Sequence, residues 1–216
     1  LETVKKVAGA RPEAKGKTLQ NNLSKIKGLL QPLLYIQQIF PGDERVILRQ
    51  MRGRNFNSSI AVGIVKRCRL GKPQVLLCAP LFELKPFPTT FWLSCPYLVG
   101  KCGKEEAAGG VKQLESYAKN YIDSERWINF NVKHSVIRLF LLSEGEKLFL
   151  SKVGKNIFDR LRLSGIGGMG CPVEMRMKCL HLQVASWLAL GEHPAEGWLK
   201  GRFTELECDN PDRYCT

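Results

Sequence analysis

No two of the eight cysteines stand at the C-x-x-C spacing that marks a zinc ribbon or a thioredoxin-like site. Any metal centre in this chain therefore has to be assembled from distant segments. Long apolar runs are missing as well: no segment reaches the roughly 18 to 20 apolar residues of a membrane span. The first apolar stretch behind the basic start, Gly28 to Phe40, is interrupted by Gln and Pro and lacks a small-residue cleavage site, so no secretory signal is read. A cytoplasmic location is the expectation, and in that compartment cysteines are thiols or metal ligands rather than disulfides. No nucleophile elbow surrounds a serine, and no solenoid-type repeat is found. The four tryptophans are scattered, not interleaved with basic residues, which excludes an aromatic platform for single strands.

What is present is positive charge. The net charge is +13, and residues 1–54 carry eleven Lys/Arg against four acids. Such a bias favours a polyanionic partner such as nucleic acid, because each neutralised phosphate releases counterions. A solvated tail that keeps a basic protein soluble has the same composition.

The pattern along the chain is α+β. Residues 1–18 are polar and without period, as a loose arm would be. From Leu19 to Phe40 the apolar positions Leu23, Ile26, Leu30, Leu33 and Leu34 recur at helical spacing, with Pro32 kinking the helix and Pro-Gly-Asp at 41–43 ending it. Three short runs then read as strands of a small antiparallel sheet, at about residues 59–95: Ser59–Cys68, Pro73–Ala79 and Thr89–Cys95, each set off by Gly or Pro. Beyond Pro96 the period turns helical. Asp123 or Ser124 caps a helix whose face carries Trp127, Phe130, His134, Ile137 and Leu141, and a further face holds Leu150, Val153, Ile157 and Leu161. A last helix is expected over Val173–Leu190, stopped at Gly191. The organisation predicted is a basic extension with a helix (1–42), one domain (43–202) and a polar Cys-containing tail (203–216).

Cys68 and Cys95 close two of the predicted strands, and Cys179 lies early in the last helix. Side chains from separate segments converge at such ends, and cationic neighbours there favour the thiolate. The alternative is that each is a small packing residue. In a regular helix Cys179 and His181 point about 200 degrees apart, so the two are not expected to share one ion. His181 then orients a ligand or bonds within the core. The glycines of Ser-Gly-Ile-Gly-Gly-Met-Gly, namely Gly165, Gly167, Gly168 and Gly170, precede the last helix and offer N–H groups to an anion. The preceding segment is helical, so the dinucleotide fingerprint is not met, and a tight interhelical connection accounts for the same glycines. His134 sits on an apolar face, as a core histidine does, and His193 precedes Pro194, as turn residues do.

Taken together, residues 66–75, 86–98, 165–169 and 177–197 resemble the bacterial family known as domain of unknown function 501, from about Asp43 to Trp198. The family carries no established activity to transfer. The resemblance implies an intracellular bacterial protein and adds that positions matching Cys68 and Cys179 are cysteines and that matching Cys95 is Cys or His. That exchange is what a soft metal site tolerates, with zinc or an iron-sulfur cluster as the group held. For the fourth ligand Cys208 is the first candidate and His181 the second.

Three functional expectations follow. The first is a metal site of structural or redox role at Cys68, Cys95, Cys179 and Cys208. The second is a module that binds nucleic acid or another polyanion through the basic N-terminal region. The third is an enzyme on a phosphorylated substrate, with the glycine loop holding the anion beside Cys179 or His181. Whether the chain is an enzyme is left open by the residues.

Overall fold

A computed structural model describes residues 35–170 and 174–215. It shows an α+β protein whose strands are β1 (Ala61–Arg67), β2 (Pro73–Cys78), β3 (Leu81–Phe82), β4 (Lys85–Pro86) and β5 (Phe91–Leu93). One antiparallel sheet has the order β1-β2-β5, with Leu76 opposite both Ile64 and Trp92, and β3 pairs separately with β4. Every residue of the middle strand β2 is buried, because both of its faces are covered. Alternation along the strand sends Val75 and Leu77 into the main core. Leu76 turns the other way, with Ile64, towards Ile47 and Met51 of the α1 helix (Pro41–Gln50) and its cap.

Pro41 opens α1, with Asp43 and Glu44 in the first turn, where a missing N–H costs nothing and the helix dipole favours acids. The helix expected from Leu19 to Phe40 lies mainly outside the described residues. Its last positions, 35–40, are not helical; Gln37 exchanges two backbone hydrogen bonds with Ile64 of β1 instead.

Eight further helices follow among the described residues: α2 (Pro96–Ala107), α3 (Gly110–Tyr121), α4 (Ser124–Leu141), α5 (Glu144–Val153), α6 (Lys155–Leu163), α7 (Leu180–Leu190), α8 (Glu196–Arg202) and α9 (Asp212–Cys215). Asp123 caps α4, its carboxylate accepting from Arg126 N at 2.9 Å, and the face anticipated from Trp127 to Leu141 is buried throughout. Leu150 and Leu161 are buried, but Gly154 separates α5 from α6 and leaves Val153 in solvent. Helix α7 is apolar on nearly all sides because it lies at the centre, packed on β5 and α2. Gly191, at φ 69°, ends it in the left-handed conformation that glycine adopts without steric cost.

The last turn of α4 brings a fully buried arginine into this core. Arg138 donates to the carbonyl oxygens of Leu161 (3.1 Å), Gly165 (3.1 Å), Pro88 (3.3 Å) and Ser164. It thereby ties the end of α6, the glycine loop and the approach to β5 to one side chain.

Candidate functional site

The expected helix start at Val173 is not what forms; α7 begins at Leu180. Cys179 is its N-cap residue, with extended backbone (φ −165°, ψ 159°), so the rotation rule of a regular helix does not apply between Cys179 and His181. The reason lies on other helices. Glu106, in the last turn of α2, accepts a hydrogen bond at Oε1 from Leu180 N (2.6 Å), and Glu115 of α3 accepts one from Met177 N (2.8 Å). Two remote carboxylates thus supply acceptors to the entry of α7, where helix N–H groups have none within the helix.

The same Glu106 oxygen lies 2.9 Å from His181 Nδ1. A carboxylate only accepts, so Nδ1 carries the proton and Nε2 the lone pair. With the Cys179 thiol added, three donor atoms lie within 4.8 Å of one another. The side chains of His181 and Glu106 are each 26 % exposed, and Cys179 is half-buried. Burial pushes the Cys179 thiol above its ordinary range; N–H groups of Leu182 and His181 and the Lys178 charge pull the other way, and the Glu106 charge adds to the rise. The low-pKa nucleophile envisaged for an enzyme is therefore not what this environment makes. Cys102, one turn before Glu106 on the same face of α2, is fully buried, and burial together with the Glu106 and Cys179 charges raises its thiol strongly.

The other cysteines named from the sequence lie elsewhere. Cys95 is the N-cap of α2, eleven residues or roughly 16 Å of helix from Glu106. Its thiol accepts from the N–H groups of Leu98 and Tyr97, while burial lifts it to about 11. Cys68 sits in the β1–β2 turn and accepts from Lys72 N at 3.3 Å. The charges of Cys208 and Cys215 act on Cys95, and those of Cys68 and Cys208 on Cys215. The structure therefore groups Cys68, Cys95 and Cys208 with Cys215, and Cys179 with Glu106 and His181. None of the described cysteines forms a disulfide.

The glycine loop serves packing rather than an anion. A Cβ on Gly165, Gly167 or Gly168 would meet Asn131, Leu182 or Pro88 at 2.3 to 2.4 Å. Its N–H groups are largely spent: Ile166 N donates to Asn131 Oδ1, Gly165 N to Met169 O and Gly168 N to Gly165 O. A 3-10 turn, not the start of α7, follows Gly165, and Gly170 closes the loop beyond it. His134 is a core histidine, stacked edge-on against Phe91 and Phe130 with neither ring nitrogen bonded. His193, read as a turn residue, is 1 % exposed and holds Gln183 through Nε2 at 2.9 Å.

Most of the basic first quarter lies outside the described residues. Arg45 and Arg49 of α1, with Arg67 and Lys72, line a cleft of about 590 Å³. Arg67 is committed there to Asp43 by hydrogen bonds of 2.6 and 2.9 Å, which hold the Asp43 carboxyl below its usual range.

No helix among the described residues is long and apolar enough to cross a membrane. Neither a curated protein nor a solved structure matches the chain. The family model described as protein of unknown function (DUF501) matches residues 64–200, which take in the sheet, Glu106, Cys179 and His181. The chain belongs to the DUF501 family.

Proposed function

We propose that this chain is a metalloprotein that holds a divalent transition ion, zinc foremost, at Glu106, Cys179 and His181. One observation carries the reading: an oxygen, a sulfur and a nitrogen donor from α2 and the entry of α7 lie within 4.8 Å of one another. Each is a donor type that zinc accepts at about 2.0 to 2.3 Å. The Nδ1 to Oε1 separation of 2.9 Å is close to what two ligands on a common ion span, so the ion takes the place of the proton between them. Binding therefore releases protons from Nδ1 and from the Cys179 thiol, and affinity rises with pH.

Three protein donors leave a fourth tetrahedral position open. Closed sets of four mark structural zinc, whereas three donors plus water mark zinc that polarises a water or a substrate oxygen. The partial exposure of Glu106 and His181 gives that position access to solvent.

The test is metal analysis and zinc titration against a competing chelator, on protein purified anaerobically without chelator. One equivalent is expected to disappear in Cys179→Ser and in His181→Ala while thermal unfolding of the metal-free forms stays cooperative. Wild-type protein that neither retains nor takes up zinc, or variants that bind as wild type does, would overturn the reading.

A further inference from the structure

We infer that Cys68, Cys95, Cys208 and Cys215 form a second and separate site, an all-thiolate seat for a divalent soft ion that fastens the C-terminal tail to the sheet.

The four come from the β1–β2 turn, the N-cap of α2, the tail and α9. What gathers them is hydrogen bonding around Pro73 and Gln74 at the start of β2. Pro73 O accepts from Ser94 Oγ (3.1 Å) and from Gln50 Nε2 (2.9 Å), and that same Gln50 nitrogen lies 3.3 Å from Cys215 Sγ. Gln74 O accepts from Ser94 N and Cys95 N, while Gln74 Nε2 donates to Leu206 O at 2.9 Å. Arg69, next to Cys68, donates to Cys208 O (3.3 Å) and to the Glu207 carboxylate (3.1 Å). Every cysteine of the group is thus tied to one end of one strand.

Two observations separate this cluster from ordinary packing of small apolar residues. First, N–H groups are aimed at three of the sulfurs: Lys72 N at Cys68, the Tyr97 and Leu98 amides at Cys95, and Gln50 Nε2 at Cys215. A neutral thiol is a weak acceptor; donors directed at sulfur suit a thiolate, where the bond is charge-assisted. Second, beyond Phe203 the only buried residues of the described tail are Cys208 and Cys215. A segment without apolar residues of its own to bury needs a staple. Neighbouring thiols oppose one another's ionisation, as the mutual effects of Cys95, Cys208 and Cys215 show; a bound cation removes that opposition and deprotonates them outright. Four sulfur donors are the set of a closed, structural zinc site.

The experiment is cobalt and zinc loading of the full chain with limited proteolysis alongside. Wild type is expected to take up two equivalents, and Cys208→Ser or Cys215→Ser to take up one. In His181→Ala the remaining cobalt should show the intense thiolate charge-transfer bands of a four-sulfur site. Chelation of wild type should expose the chain to cleavage after Arg202 or Phe203, a readout that does not depend on how the variants fold. A tail equally protected with and without metal overturns the inference, as do tail variants that still hold every wild-type equivalent, a native Cys208–Cys215 disulfide, or His181→Ala without sulfur-to-cobalt bands. Because His181→Ala removes only the ion at Glu106, Cys179 and His181, failure of either site is read separately from failure of the other.

Discussion

Arg138 and the Glu106–Cys179–His181 group each fasten a loop to helices, but they spend their polar atoms differently. Arg138 is fully buried and turns its guanidinium on neutral carbonyls of Pro88, Leu161, Ser164 and Gly165; burial brings it down to about 10. The other group reaches solvent and concentrates two hydrogen bonds on one Glu106 oxygen, so the second carboxylate oxygen, a thiol and a ring nitrogen are left over. A polar cluster whose donors are all consumed is scaffolding. One with atoms to spare is where a ligand can enter.

The sharpest way to break this contrast is Arg138→Met. It fills the volume but strands several buried carbonyls at once, and removing one partner of a buried charged network costs about 3 to 5 kcal/mol. Urea denaturation should show that loss, with the triad's metal content per folded chain unchanged. A loss under about 1 kcal/mol would mean that Arg138 is not the anchor its bonds describe.

Acid should probe the buried side next. Burial, then the Arg138 charge, then His193 hold His134 well below the ordinary 6.5, and burial followed by Arg126 takes His193 to about 3. Unfolding lets both rings bind protons near 6.5, so the fold is at full stability above that value and weakens as pH falls. Each histidine contributes about 1.4 kcal/mol per pH unit, continuing for His193 down to about pH 3. Denaturation curves at pH 7, 6 and 5 check this, and His134→Leu should flatten roughly half of the slope. Equal slopes in wild type and variant would remove His134 from the account.

The smallest expected change in stability sharpens the other side. Glu106→Gln keeps an oxygen for Leu180 N and His181 Nδ1, so stability should shift by less than about 1 kcal/mol. Loss of the charge should weaken zinc binding by about 10- to 100-fold, read by chelator competition. Unchanged affinity would take Glu106 out of the centre.

The strands were legible because Gly and Pro bracket them, and α4 because Asp123 and five apolar residues repeat with the helix period. Cys68, Cys95 and Cys208 stood out through their positions at element ends. Glu106 did not, since one acid in Lys-Glu-Glu-Ala-Ala-Gly looks like any solvated helix end. Cys215 was hidden in a polar tail, and Cys179 was misplaced because Val173–Leu190 has a helical pattern from its first residue. What shortens that helix is a pair of acceptors 62 and 74 positions earlier in the chain, and no local signal reports them. Arg138 and His193 were hidden for a related reason: their partners come from other elements.

That remote capping also bears on the order of folding. A helix is costly to nucleate, and the first turn of α7 gets its acceptor only when the end of α2 arrives across 74 residues. Contacts so far apart in sequence form late and slowly. Closing that turn and bringing Cys179 and His181 to Glu106 are then a single kinetic event, so the three donors exist as a set only in chains that have finished folding.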